Sequence, residues 1–271
     1  MSASQLTRRQ VMGGVLGMVG VTRLAAVSAA PTAGRSGAAA AGTLTIGGDL
    51  VVNRMGFGAM RVTGPGIWGE PKDPAEARRV LRRAVELGVN FIDTADSYGP
   101  EVSERLIAET LAPYPRGLVI ATKGGLLRPS APQWVPDGRP AHLRVACEGS
   151  LKRLKLARAR RVVPVVSVQN RYNLADRGSE DVLGVCARDG LAFIPWAPLA
   201  SGSASRLEVS DALEKVAAAH GVSVMQVAIA WLLAKSPAML PIPGTGSVAH
   251  LEEDLAAARL QLTPEELARL G

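Results

Sequence analysis

The stretch FIDTADSYG (Phe91–Gly99) places two carboxylates, Asp93 and Asp96, and a phenol, Tyr98, at the end of a short apolar run. Lys123 ends the next such run, GLVIATK. Tyrosine titrates near 10 in water, so it is a poor acid near neutrality. An ammonium a few ångströms away favours phenolate and eases proton release. A carboxylate beside that ammonium keeps it charged and oriented. Asp93, Tyr98 and Lys123 supply these three types at two neighbouring strand ends. The chemistry they suit is protonation of a carbonyl oxygen while hydride reaches the carbon. Spacing alone leaves plainer roles open: Asp93 and Asp96 as caps of the helix after Gly99, Tyr98 and Lys123 as solvated strand-end residues.

The elements that must hold these groups alternate along the chain. TLTIGGDLVVN reads as a hairpin turning at Gly47-Gly48, and RMGFGAM as a short strand. DPAEARRVLRRAVELG carries Asp73 as N-cap, Pro74 at the first helical position and Gly88 as the stop. Strands are expected in VNFID, GLVIATK, VVSVQN, LAFIPWAP and AMLPIPG, with helices between them. The pattern RPAHLRVACEGSLKRLKLARARRVV predicts one unusually long helix. Short apolar strands alternating with amphipathic helices mean a parallel sheet covered on both faces. Asp93, Lys123, Gln169, Trp196 and Pro243-Gly244 fall just after strands, at the carboxyl edge where such sheets carry their sites. No GxGxxG follows an early strand, which favours a barrel over a dinucleotide-binding open sheet, with the initial hairpin plugging the amino-terminal mouth.

Composition bounds the remaining possibilities. The 271 residues carry a formal charge of +7, of which Arg8, Arg9 and Arg23 contribute three within the first thirty, leaving +4 for the rest. That mild excess, without basic runs interleaved with aromatics, does not suggest nucleic acid. Cys147 and Cys186 form no CxxC or Cys/His cluster, and His142, His220 and His250 are scattered. No metal site is expected, and the two cysteines read as separate helix residues.

Residues 1–30 read as an address, the plainer alternative being a disordered basic start on a cytoplasmic protein. LTRRQVM holds an arginine pair, an apolar stretch too short to span a bilayer follows, and VSAAP offers small residues for cleavage. Glycines keep the stretch weakly hydrophobic, which favours twin-arginine export over the general route. That route carries proteins folded around a cytoplasmic cofactor, so export and such a cofactor are compatible. Residues 31–42 read as a flexible linker without packing power, and residues 43–271 as the folded domain.

GFGAM, FIDTADSYG, VIATKGG, SVQNRYNL, IPWAPL and PIPGTGSVAHLEEDLAA, in that order, resemble the aldo-keto reductases from Thr43 almost to the end. The resemblance implies a (β/α)8 barrel that reduces aldehydes or ketones with NADPH. It makes Tyr98 the general acid, Lys123 the group that lowers its pKa, and Asp93 the partner of Lys123. It gives the nicotinamide carboxamide to Gln169, the ring to Trp196 and the pyrophosphate to Pro198 and Leu199. Gly244, Thr245 and Gly246 meet the adenosine phosphate with amides at a helix start, and His250, Glu253 and Asp254 surround the 2′-phosphate and adenine. His250 stands where many relatives use arginine, so NADH is a second candidate cofactor. Trp68 and Trp134, on loops near the expected pocket, either point to apolar or aromatic carbonyls or are plain surface or core indoles.

The chain also departs from the family. The histidine that ends the family's fourth strand and the Ser-Asn that ends its fifth are not found. The text passes from CEGSLKRLK to ARARRVVPVVSVQN near Leu154–Ala157, so roughly 45–50 residues, about two βα units of a barrel that typically spans about 250, are expected to be missing. Six strands do not close with the geometry of eight. The expectation is a barrel of about six units, incomplete or open, in one of three states. It is an exported carbonyl reductase with full or reduced rate, a non-catalytic nucleotide-binding or interaction protein, or a defective descendant of a complete enzyme.

Overall fold

The structure, a computed structural model, describes residues 37–156, 166–196 and 211–271. Strands β1 (Thr43–Ile46) and β2 (Leu50–Asn53) pair antiparallel, with Ile46 opposite Leu50 across a turn at Gly47–Asp49. Three parallel strands follow: β3 (Phe57–Gly58), β4 (Phe91–Asp93) and β5 (Val119–Ala121). Helix α1 (Pro74–Glu86) joins the first two, and α2 (Val102–Leu111) joins the second and third. Asp73 caps α1, its carboxylate accepting from the Glu76 amide. A small ribbon, β6 (Leu126–Leu127) with β7 (Val135–Pro136), leads to α3 (Pro140–Arg153). The second half holds β8 (Ser167–Arg171), α4 (Glu180–Asp189), β9 (Ala192–Trp196), α5 (Asp211–His220), α6 (Val224–Lys235), α7 (Val248–Ala256) and α8 (Pro264–Leu270).

Strands β8 and β9 are parallel. The extended segment 238–243 joins the two halves. It bridges β9 in parallel at Phe193–Met239 and receives the Gly56 and Gly58 amides of β3 at the Pro241 and Pro243 carbonyls. The spatial order is therefore β5, β4, β3, 238–243, β9, β8. Backbones approach closely here: a Cβ on Gly58 would stand 2.7 Å from the Ile242 carbonyl oxygen, so only glycine fits. Among the described residues no ladder joins β5 to β8.

Three apolar clusters follow from the alternation. Phe57, Val80, Leu81, Ile92, Leu106 and Ile107 pack with Leu251 and Leu255 of α7 on one flank, and Tyr172, Phe193, Leu213, Trp231 and Leu232 pack on the other. Between them Ile46, Val52, Phe91, Ile194, Leu240 and Ile242 fill the interior beneath the sheet, against the β1–β2 pair. Helix α6 is apolar on nearly every side because it lies inside this packing. No single helix among the described residues is long and apolar enough to cross a membrane.

Two sequence expectations are corrected. The single long helix over residues 139–163 does not form: α3 ends at Arg153, Leu154 closes it buried, and Lys155 turns back at φ 53°. Tyr114 Oη donates to the Leu154 carbonyl at 2.7 Å, so the chain is tied down where helical periodicity said it would continue. Residues 157–163, the rest of that pattern, lie outside the described residues. The linker expectation fails over its last part as well. Gly37–Ala41 forms a 3₁₀ turn whose amide at Ala38 donates to the Leu87 carbonyl at 2.8 Å, and Ala38 and Ala40 are buried in the first cluster. Alanine is small enough to be covered there, so low complexity did not mean lack of packing.

Candidate active site

The ends of β4 and β5 converge. Lys123 Nζ donates to Asp93 Oδ2 at 2.6 Å and to the Thr94 carbonyl at 2.9 Å, and it stands 5.0 Å from the centroid of the Tyr98 ring. The Asp93 side chain is 9% exposed and that of Lys123 28%. The register explains the meeting: Asp93 pairs with Ala121, two residues before Lys123, and the Asp96 amide donates to the Lys123 carbonyl. Asp93, Tyr98 and Lys123 are thus brought together as their spacing implied.

The electrostatics differ from the sequence expectation in one respect. Burial raises the Tyr98 phenol above its ordinary value of 10 and outweighs Lys123, which pulls it down. Burial also pulls Lys123 down, but Asp93 and Tyr98 more than offset it, so the ammonium stands above its ordinary value. The pair is a protonated phenol beside a charged ammonium. A neutral phenol is the form that donates a proton.

Behind these groups lies polar support that sequence reasoning missed. Glu104 is fully buried on the inner face of α2. It accepts from Thr122 Oγ1 at 2.5 Å and from Arg153 Nε at 2.6 Å, which ties the end of α3 to the residue next to Lys123. Thr94 and Ser103 share a 2.8 Å hydroxyl contact, and Ser103 donates to the Ala59 carbonyl. The signal for Glu104 was present: it shares a helix face with Ile107, Ala108 and Leu111, and a carboxylate on an apolar face is unusual unless it is paired. Neither Asp93 nor Asp96 caps α2, whose N-cap is Glu101 with a left-handed backbone. Asp96 instead lies at the strand end with Oδ1 buried and unpartnered, its carboxyl raised first by burial and then by Glu104. His142 is in the first turn of α3, with Nε2 buried and without a partner among the described residues.

The expected cofactor residues fall into two groups. Gln169 and Trp196 sit on adjacent strands, Gln169 opposite Ile194 and Trp196 opposite Arg171. The Trp196 ring is 44% exposed, with the Arg171 guanidinium 5.6 Å from its centroid. Pro198 and Leu199 lie outside the described residues. At the far end Gly244 packs against the Gly58 backbone, Thr245 is buried with Oγ1 accepting the Ser247 amide at 3.1 Å, and Gly246 and His250 are exposed. The Val248 amide, first in α7, donates to Glu76 Oε1 at 2.9 Å. The Glu253 carbonyl accepts from Gln226, and Asp254 is buried, its carboxyl pushed up to about 7 by burial and then by Glu253. A cleft of about 370 Å³ opens between the loop 60–67, the start of α1 and Gly246. Among the described residues no group of three or more His, Cys, Asp or Glu is placed to hold a metal ion, and both cysteines are free.

Comparisons with known proteins agree with this geometry. The profile of the Aldo/keto reductase family matches residues 54–159 and 156–271. The chain belongs to that family, whose members are oxidoreductases. It is 44% identical over 279 residues to an uncharacterized oxidoreductase of Schizosaccharomyces pombe, covering 86% of this chain and 90% of the relative. It is 38% identical over 280 residues to pyridoxine 4-dehydrogenase of Escherichia coli, covering 84% and 96%. Among solved structures, an aldo-keto reductase from Klebsiella pneumoniae in complex with NADPH is similar at a TM-score of 0.67 and 24% identity, covering 84% of this chain and 93% of that one. The fold is the TIM-barrel-like α/β fold of that family.

Proposed function

We propose that this chain reduces aldehydes or ketones to alcohols with NADPH, Tyr98 donating the proton. The observation that carries the reading is the convergence of Asp93, Lys123 and Tyr98 at the carboxyl edge of a parallel sheet. The residues present fit a dinucleotide. An exposed indole at a strand end beside Gln169 offers a flat face and an amide, and the exposed Gly246 and His250 offer an open end for phosphate. When bound, the nicotinamide supplies the hydride. Tyr98 Oη donates its proton to the carbonyl oxygen as charge develops there. Lys123 stabilises the phenolate left behind, and Asp93 holds Lys123 in position and charged. Gln169, Trp196, Pro198 and Leu199 are read as the nicotinamide and pyrophosphate contacts, and Gly244, Thr245, Gly246, His250, Glu253 and Asp254 as the adenosine end. NADH remains a competitor, since His250 replaces a more strongly charged group and Glu76 already occupies the first α7 amide.

The reading includes a missing segment between α3 and β8, equivalent to two βα units. Three observations support it. The family profile meets the chain as two segments that overlap at residues 156–159. The S. pombe alignment covers 86% of 271 residues, which leaves about 46 of its 279 positions without a counterpart here. Strands β5 and β8 share no ladder among the described residues. It also includes export by the twin-arginine route, supported by Arg8-Arg9 and the apolar stretch after them.

The deciding experiment follows NADPH oxidation with an aromatic aldehyde, for this chain and for one given the two βα units of a complete relative between Lys155 and Ala157. The extended chain is expected to be faster by orders of magnitude, and Tyr98→Phe to be inactive in both. No reduction by either chain would leave the non-catalytic reading. Equal rates would remove the missing segment from the argument. Retention of Arg8→Lys/Arg9→Lys precursor in the cytoplasm is the matching test of export, and its undiminished export would exclude the twin-arginine route.

A further inference from the structure

Arg128 follows β6 and is 9% exposed, yet among the described residues no carboxylate pairs with it. Its guanidinium is spent on backbone carbonyls. Nη1 donates to Ile67 at 3.1 Å and Ser97 at 3.2 Å, and Nη2 donates to Gly66 at 3.2 Å and Ala131 at 2.5 Å. Nε is buried without a partner. The guanidinium carbon lies 3.7 Å from the centroid of the Trp134 ring and 5.4 Å from that of Trp68. A planar fork with four donors satisfied in different directions does what an ammonium does poorly.

Three loops meet there: residues 66–69 after β3, residues 97–99 after β4, and residues 128–134 between β6 and β7. Tyr98 sits in the middle one. On one side Ser97 is held by Arg128. On the other, the Gly99 amide donates to the Ile67 carbonyl at 3.3 Å, and the Gly69 amide donates to the Gly99 carbonyl at 2.6 Å. Gly99 has φ 100°, so the chain turns sharply just after the phenol. We infer that Arg128 is a positioning residue that fixes the Tyr98 phenol beside Lys123 by clamping these loops, and that it holds Trp68 and Trp134 as the pocket wall. Four of its five N–H groups are committed to carbonyls and the fifth is buried, so it does not bind the substrate. The inference deepens the carbonyl-reductase reading and rests on it only for its catalytic consequence.

The test uses two readouts. The first needs no turnover. The chain has three tyrosines; Tyr114 is pushed up to about 12 and Tyr172 higher still, in both cases first by burial. Tyr98 faces Lys123 and Asp93 and is also raised by burial. In Arg128→Met the phenol is expected to gain water and titrate closer to its ordinary 10, seen as tyrosinate absorbance that Tyr98→Phe removes. The second readout is kinetic. Displacing a reacting group by an ångström costs about 10²-fold, so kcat/KM for an aromatic aldehyde is expected to fall about tenfold to a hundredfold, with NADPH quenching of Trp fluorescence unchanged. Arg128→Lys, which keeps charge but not the fork, is expected to fall between. If Arg128→Met does not fold by circular dichroism, Arg128→Lys carries both readouts. An unmoved Tyr98 titration in a folded variant overturns the clamp whatever the activity. A moved titration in a chain that reduces no carbonyl overturns the proposed function and leaves the clamp standing.

Discussion

Replacing Lys123 with Met separates the structural from the chemical role of the Asp93–Lys123 pair. The substitution keeps most of the methylene packing and removes the ammonium that donates to Asp93 Oδ2 at 2.6 Å. Breaking a buried ion pair by deleting one partner costs about 3–5 kcal/mol. Lys123 is 28% exposed, so water screens part of this and about 2–3 kcal/mol is the better figure. For a domain of this size each kcal/mol moves the melting temperature by about 2–4 °C, so Lys123→Met is expected to melt about 4–12 °C lower. Asp93→Asn/Lys123→Met, which removes the orphaned charge, is expected to recover most of that loss, with a coupling energy of about 2 kcal/mol in the double-mutant cycle. Activity is not expected to return, because charge at Lys123 is needed as the proton leaves Tyr98, and general acid–base terms are typically about 10²–10⁴-fold. Any residual rate carries a further signature. Lys123 is what pulls the phenol down against burial. Its loss moves the phenol up, and since the protonated phenol is the active form, the alkaline limb of the rate profile moves to higher pH. Thermal melts of the four chains decide the structural part. A double variant no more stable than Lys123→Met refutes the argument.

Tyr98→Phe is expected to abolish carbonyl reduction while leaving NADPH binding by fluorescence intact, since the ring and its packing remain. Arg153→Met leaves the fully buried Glu104 carboxylate with Thr122 alone and is expected to cost about 3 kcal/mol in urea unfolding. Asp254 has a folded-state pKa raised to about 7 from 3.8, so the native chain holds a proton that the unfolded chain has released. Stability therefore falls as pH rises from about 4 to about 7. Asp254→Asn is expected to stabilise the chain at pH 8, by as much as about 4 kcal/mol, and to leave it unchanged near pH 4, which melts at the two pH values would show.

Much of the frame was legible because it is local. The Asp73 cap, the glycine stop at Gly88 and the apolar strands VNFID and LAFIPWAP each announce themselves within a few residues, and the structure places α1, β4 and β9 there. Asp93 and Lys123 could be paired because both end neighbouring parallel strands. What was not legible depends on distant partners. Periodicity carried α3 past Arg153 because it does not register Tyr114 holding the Leu154 carbonyl. It gave no reason for Ala38 and Ala40 to be covered by residues near Leu87. The net direction of Tyr98 depended on how deeply the phenol is buried, which no spacing reveals. Nothing local to Arg128 reveals that its four carbonyl partners come from three loops.

The segment 238–243 lies between β3 and β9, so the strand that sews the two halves together is separated from β3 by about 180 residues of chain. Arg54 makes the same point from the other side, its guanidinium donating to the Leu233 and Ser236 carbonyls at 2.8 and 2.6 Å across about 180 residues of chain. Until those residues dock, β3 carries an unpaired edge and Arg54 lacks these acceptors, so completing the sheet requires closure of a long loop during folding. That loop closure sets a clock for folding. Any cofactor that needs both flanks of the sheet meets a complete surface only after the closure, and a chaperone that shields open strand edges has its longest opportunity on β3.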